Sequence, residues 1–261
     1  KRDKPTAFLD DIPKSPFGTH PRFGLVAAQE SDSQALRGLG TYGFIRNPAG
    51  FVVGAMTPAE YNLEDYGYLF EMILLYATAL NLGTCWLGGT FTKSRFAEKV
   101  QPNVDETMPA IAAIGEFAEK EQKRAGWVSQ IAGSHKRLKW EQLFSNVILG
   151  QPLYRSEAGP YARPLEMVQI APSASNKQPW RIVKSGDFWR FYLRRTAGYS
   201  DDPLKRYLGL ADMQRIDMGI AMCHFELTTR ELGLAGKWVV EESLDKFPMP
   251  NREYIVSWQE L

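Results

Sequence analysis

The segment APSASNKQPWRIV, residues 171–183, places two serines, an asparagine, a lysine and a glutamine between two prolines, where a helical pattern gives way to an apolar strand. The side chains of Ser173, Asn176 and Gln178 can both donate and accept hydrogen bonds. Such groups suit a neutral polar ring edge or a sugar-like chain, whereas a metal ion favours carboxylates, imidazoles or thiolates. From spacing alone, a well-bonded turn between helix and strand is the favoured interpretation, because serine, asparagine and proline are common in turns.

Composition narrows the class of protein. The chain has 261 residues, of which 44% are hydrophobic, which is enough for one large domain or two closely packed halves. A formal net charge of +1 leaves no extended basic surface for nucleic acid. Cys85 and Cys223 lack the spacing of a zinc site or a disulfide framework. The most apolar run, residues 66–82, is interrupted by Glu71 and is too short to cross a membrane. We therefore expect a cytoplasmic protein without nucleic-acid, membrane or metal partners.

Two series of strand and helix patterns follow each other along the chain, separated by a charged connector at residues 118–133. A capping-box pattern at residues 57–60 predicts the start of the first long helix. The two series align at an offset of 152 residues (217 minus 65). The aligned pairs are Asp65-Tyr66-Gly67 with Asp217-Met218-Gly219, Leu80-Asn81-Leu82 with Leu232-Gly233-Leu234, and Trp86 with Trp238.

A weaker similarity pairs PFGTHPRFGLV, residues 16–26, with PSASNKQPWRIV, residues 172–183. The halves also differ, since the Gly-rich GTCWLGG of residues 83–89 corresponds to AGKWVVE in residues 235–241. Two fused copies can each keep half of a shared site. We therefore predict a first half at residues 1–125, with the Gly-rich segment, and a second at residues 126–261, with the polar turn, together forming one compact pseudo-dimer.

APSASNKQPWRIV closely resembles the PSxxNxQPW signature of the FMN-dependent nitroreductase superfamily. LNLGTCWLGG, residues 80–89, resembles the Gly-rich segment that follows the long central helix in many members. The two segments occur here in the reverse of the usual order, as in a branch described as fused nitroreductases. The resemblance covers nearly the whole chain. It implies an α+β nitroreductase-like fold of two half-domains, each an antiparallel-rich sheet flanked by helices, with one FMN in the groove between them.

The resemblance also implies a set of FMN-binding residues. The second half would supply Pro172, Ser173, Ala174, Asn176 and Gln178, and the first half Leu87, Gly88 and Gly89. The paired glycines would let the backbone approach the flavin ring so that a main-chain amide can donate to flavin N5.

The FMN phosphate needs cationic partners, which Lys136 and Arg137 could provide; a solvated basic turn is the alternative for these two residues. The superfamily's N-terminal Arg-x-Ser-x-Arg run is absent from residues 1–8, and we expect it to lie upstream of Lys1 or to have been lost.

The implied activity is reduction of a nitroaromatic, a quinone or a similar small electrophile by NADH or NADPH through the flavin. The flavin performs this chemistry, so no side chain need be a catalytic acid or base. The alternatives are a related dehalogenating or flavin-fragmenting enzyme, a flavin-binding module without turnover, and a pseudo-dimer that holds no flavin. Internal duplication favours a monomer, with a dimer as the alternative.

Overall fold

The computed structural model describes residues 8–9, 11–27, 45, 48–88, 91, 93–116, 136–147, 151–197, 211–241 and 252–261. These residues belong to two compact units. The first unit contains the described residues up to 116 together with 211–213, and the second contains those from 136 to 197 and from 214 onward. The predicted boundary between residues 125 and 126 lies outside the described residues.

The first unit is built on a four-stranded antiparallel sheet. Its elements are β1 (Arg22–Ala27), β2 (Gly50–Ala55), α1 (Asn62–Ala79), β3 (Gly83–Leu87), α2 (Lys93–Val100) and β4 (Ile111–Gly115). The strands lie in the order β1-β2-β4-β3, and every residue of the central strand β2 is buried. Phe51 and Phe96 pack edge to face with ring centroids 5.0 Å apart, which anchors α2 to the sheet.

Helix α1 begins later than the capping-box pattern predicts. Its first residue is Asn62, and Tyr61 precedes it with a left-handed φ of 57° and no side-chain capping bond. The Asn62 side-chain amide donates to the carbonyl of Thr57 at 2.8 Å. Residues 57–61 therefore form a turn before the helix, because this bond closes the segment in a non-helical conformation.

The second unit has a five-stranded sheet. Its elements are α3 (Trp140–Leu143), β5 (Phe144–Asn146), α4 (Arg155–Ala158), α5 (Ala162–Ile170), β6 (Trp180–Ser185), β7 (Phe188–Arg194), α6 (Met213–Glu231), β8 (Gly236–Val239) and β9 (Arg252–Glu260), with 3-10 turns at Gly159–Tyr161 and Ala174–Asn176. The strand order is β5-β6-β7-β9-β8. β5 runs parallel to β6, and the other neighbours are antiparallel. Phe191 of β7 meets Phe225 of α6 at 5.3 Å and nearly at right angles, so α6 covers this face of the sheet.

The two units share one topology. The order β1-β2-β4-β3 corresponds to β6-β7-β9-β8, with α1 between the second and third strands of one unit and α6 in the same place in the other. Both long helices end in the same turn, in which Asn81 and Gly233 take left-handed φ values of 60° and 69°. The following amides of Leu82 and Leu234 bond back five residues, to the carbonyls of residues 77 and 229.

A second structural equivalence joins helix to strand. The indole of Trp86 donates to Glu71 at 2.7 Å, and the indole of Trp238 donates to Glu226 at the same distance. The residue pairs aligned in the sequence therefore occupy equivalent places in the two units. Among the described helices, none is long and apolar enough to cross a membrane.

Candidate functional site

The polar turn joins α5 to β6 and has an unusual backbone. Ser175, Asn176 and Gln178 have positive φ values of 50°, 52° and 47°. A non-glycine residue in this region costs roughly 1–3 kcal/mol and persists only where its surroundings hold it. Three such residues among four positions therefore require strong local bonding.

Part of that bonding comes from a buried carboxylate. Asp217 of α6 is fully buried and accepts a hydrogen bond from the Ala174 amide at 2.9 Å. Within the turn, the backbone amide of Gln178 donates to the Ser173 hydroxyl at 2.9 Å. The carboxylate thus ties the start of the turn to the long helix.

The first unit also has a buried aspartate that binds the turn before its first strand. Asp65 of α1 is fully buried and accepts hydrogen bonds from the Phe17 amide and from the amide and hydroxyl of Thr19, all at 2.8–2.9 Å. Residues 17–19 precede β1 as residues 173–178 precede β6. Sequence alignment paired the two aspartates but assigned them no role, because their partners lie more than 40 residues away.

Amide side chains of the turn and of α5 hold the basic segment 136–138. We call Gln169, Asn176 and Gln178 the amide clamp. The side-chain oxygen of Gln178 accepts a hydrogen bond from the Leu138 backbone amide at 2.8 Å, and the Asn176 side chain donates to the Lys136 carbonyl at 2.7 Å. Gln169 completes the clamp by donating to the Leu138 carbonyl at 2.8 Å. Gln178 is only 3% exposed, so its bond to Leu138 is shielded from water, whereas the bond from Asn176 to Lys136 is exposed.

The clamp also receives the side chain of Arg137. Its guanidinium donates to the Asn176 side-chain oxygen at 3.2 Å and to the Ile170 carbonyl at 2.8 Å. Ile170 is the last residue of α5, whose C-terminal end carries partial negative charge. Burial lowers the pKa of Arg137, yet a guanidinium stays protonated at neutral pH. A fixed positive charge therefore lies beside the polar turn.

The predicted site residues of the second unit thus fall into two groups. Lys136, Arg137, Asn176 and Gln178 form one bonded cluster, in which the two amides contact protein groups. Pro172 is exposed and Ala174 is half-buried, so this part of the turn is accessible.

In the first unit, Leu87 is buried at the end of β3 and Gly88 follows it. A Cβ on Gly88 would lie 2.5 Å from Cε and 2.9 Å from Sδ of Met213. Close packing against Met213 therefore explains why position 88 is a glycine. This structural explanation stands beside the predicted one, in which the glycine lets the backbone approach a ligand. Gly89 lies outside the described residues.

A cavity of about 580 Å³ opens at the end of the first sheet that also carries Leu87. Its lining is mostly apolar and includes Met56 and Met108. The polar members are Asn62, Glu106 and Thr107. The described residues contain no cluster of three acidic, histidine or cysteine side chains that could hold a metal ion. Apolar contact is therefore the main interaction this cavity offers.

Comparison with known proteins places these features in context. Residues 25–229 match the model of the protein family described as "Putative TM nitroreductase". No match among curated proteins was found. Among solved structures, the crystal structure of a putative nitroreductase from Thermotoga maritima is similar to this chain, with 17% sequence identity. The match covers 99% of this chain and 84% of the Thermotoga chain. The TM-score of 0.58 shows that the two proteins share a fold.

Two further solved structures are similar at lower scores. A putative nitroreductase from Anabaena variabilis is 8% identical, covers 82% of this chain and 69% of its own, and has a TM-score of 0.43. An oxidoreductase containing FMN is 15% identical, covers 46% of this chain and 69% of its own, and has a TM-score of 0.35.

Proposed function

The chain belongs to the nitroreductase family whose model it matches over residues 25–229 and has the nitroreductase fold that its sequence predicts, and on this premise we propose that it is an FMN-dependent NAD(P)H oxidoreductase. Its substrates would be nitroaromatics, quinones or similar small electrophiles. The observation that supports this proposal best is the polar turn, whose strained backbone is held by Asp217 and by the amide clamp.

The residues present fit an FMN. A phosphate prefers a guanidinium fork, and the clamp fixes Arg137 in one position beside the turn. The accessible part of the turn, Pro172 to Ala174, would contact the polar ring edge. In the first unit, Leu87, Gly88 and Gly89 are the proposed binding residues. Bound FMN would supply the hydride chemistry, so the protein's task is to bind, orient and exclude water.

This assignment gives Asn176 and Gln178 a positioning role. Their side chains hold the backbone of segment 136–138 and the Arg137 guanidinium, and would thereby prepare a rigid cationic partner for the phosphate. A preorganised cation costs less conformational entropy on binding than a mobile one.

The apolar cavity supports the proposed substrate class. A volume of about 580 Å³ with a mostly apolar lining suits an aromatic ring better than a sugar or a nucleotide. We assign this cavity to the electrophile.

The visible spectrum of the purified protein tests the proposal. We expect flavin absorption bands that bleach when NADH or NADPH is added without oxygen and recover when a quinone follows. A colourless protein that does not bind added FMN would refute the assignment. Bound FMN that neither NADH nor NADPH can reduce would instead indicate a flavin-binding module without turnover.

A further inference from the structure

One face of the second unit's sheet is rich in arginine. Side chains alternate between the two faces of a strand, and α6 covers the face of Phe191. The opposite face carries Arg181 on β6, Arg194 on β7 and Arg252 on β9. These residues lie far apart in the sequence and are brought together by the strand register.

The register places the three arginines as close neighbours. Arg194 lies directly opposite Arg252, and Arg181 lies opposite Tyr192, two positions from Arg194 on the same face. Directly opposite residues have Cβ atoms about 5 Å apart, and diagonal neighbours about 7–8 Å. Long guanidinium side chains at these positions can reach a common point.

Arg181 is the buried member of this group. It is only 8% exposed, and its guanidinium donates to the carbonyls of Gln178 and Trp180. Its Nε is buried and has no hydrogen-bond partner within the described part of the chain. A buried charge normally requires a counter-charge, because removing an ion from water is costly.

The carboxylates of this region are bonded to other arginines. Glu241 forms two hydrogen bonds with Arg190, and Glu253 pairs with Arg195 and Arg215. Among the described residues, no ion pair involves Arg181, Arg194 or Arg252.

The pKa of Arg181 reflects its burial and the positive charges of the two neighbouring arginines. Burial, as the largest cause, and the charges of Arg194 and Arg252 together lower the pKa of Arg181 to about 10. At neutral pH the guanidinium still carries its charge. Three positive charges therefore share one face of the sheet, and no carboxylate among the described residues pairs with any of them.

We propose that Arg181, Arg194 and Arg252 form a binding site for a phosphate group. A tetrahedral dianion matches several guanidinium forks at once, whereas a carboxylate has one charge and one planar edge. The phosphate would be free inorganic phosphate or the phosphate end of a small molecule. The site uses none of the residues assigned to FMN, so it does not depend on the proposed flavin function.

Thermal unfolding with inorganic phosphate tests this site. The midpoint should rise with phosphate concentration when ionic strength is held constant with sodium chloride. Arg194→Gln and Arg252→Gln should each raise the apparent dissociation constant for phosphate about tenfold, because each removes a charge-assisted hydrogen bond. Both residues are more exposed than Arg181, so these variants should fold even if Arg181→Gln does not.

A control variant separates this site from other basic positions. Arg163→Gln, which removes an exposed arginine paired with Glu166, should keep the response to phosphate. Repeating the titration with phenyl phosphate distinguishes the two sources, since a tenfold lower dissociation constant would favour a phosphorylated small molecule. Phosphate that stabilises the protein no more than sodium chloride does, or equally in the double variant Arg194→Gln/Arg252→Gln, would overturn the proposal.

Discussion

At the scale of single residues, the signature turn acts through its contacts within the protein. Asn176 and Gln178 belong to the stretch that resembles a flavin-binding signature, yet their side chains hold segment 136–138. The sequence predicted that both residues and Arg137 matter, but spacing alone could not show that they bond to each other, because 40 residues separate Leu138 from Gln178.

The positioning role of Asn176 predicts a difference between two flavins. Asn176→Ala removes one of the two bonds that hold the Arg137 guanidinium in the clamp, so FMN binding should weaken by about 1–3 kcal/mol because a charged hydrogen-bond partner is lost. Riboflavin lacks the phosphate, and its affinity should not change. Fluorescence titration of the two flavins measures both constants.

Lys177→Ala is the matched control for this pair of titrations, since Lys177 is an exposed residue of the same turn. An equal loss of FMN and riboflavin affinity in Asn176→Ala would show that Asn176 contacts the flavin ring instead.

At the scale of strands and helices, close packing between neighbours decides which substitutions the first sheet tolerates. A Cβ on Gly54 of β2 would lie 2.6 Å from the Phe23 ring and 2.7 Å from the Tyr66 hydroxyl. A Cβ on Gly24 of the adjacent strand β1 would meet only Val53, at 4.0 Å. Glycine is therefore required at position 54 and replaceable at position 24.

The two glycines give a matched pair of variants. Gly54→Ala should destabilise the first unit by about 1–3 kcal/mol, because overpacking forces the aromatic rings to move. Gly24→Ala should be neutral or stabilising by about 0.4–1 kcal/mol, because it reduces the entropy of the unfolded chain. Chemical denaturation measures both, and similar losses in the two variants would contradict the packing argument.

A second prediction at this scale concerns pH. Arg22 at the start of β1 forms two hydrogen bonds with Glu106, which lies in the loop before β4. The hydrogen bond from Arg22 holds the pKa of Glu106 at about 2. Because this pKa is lowered in the folded state, the pair stabilises the protein fully above the unfolded value of about 4.3 and loses that effect as the pH falls toward 2.

Arg22→Gln should therefore lower the unfolding temperature modestly at pH 6, since the arginine is 46% exposed and solvent screens the pair. The difference from the original protein should disappear between pH 4 and pH 2. Scanning calorimetry across this range checks the expectation, and a difference that persists unchanged at pH 2 would exclude the ion pair as its cause.

At the scale of the whole molecule, one topology occurs twice and carries two different turns. The equivalent residues Asp65 and Asp217 fasten the turn in each unit. In the first unit that turn is PFGT, residues 16–19, and in the second it carries the amide side chains of Asn176 and Gln178. This division is what we expect from a duplicated unit in which only one copy kept the polar turn.

The unequal turns predict the flavin stoichiometry. Only the turn of the second unit adjoins the amide clamp and a fixed arginine among the described residues, so one FMN should bind per chain. Titration of the FMN-free protein, with protein concentration measured by amino-acid analysis, gives the ratio. Saturation at two FMN per chain would show that both units bind flavin.

The sequence by itself determined the α+β class, the two long helices, the repeat between them and the polar turn at residues 172–178 between a helix and a strand. These features depend on local composition and spacing, which the chain carries in its order of residues. Only the tertiary structure decided that helix α1 begins at Asn62, that Asp217 holds the polar turn and that Arg181, Arg194 and Arg252 lie on one face of the second sheet. Each of these depends on strand register or on bonds between distant segments, and no short stretch of sequence specifies them.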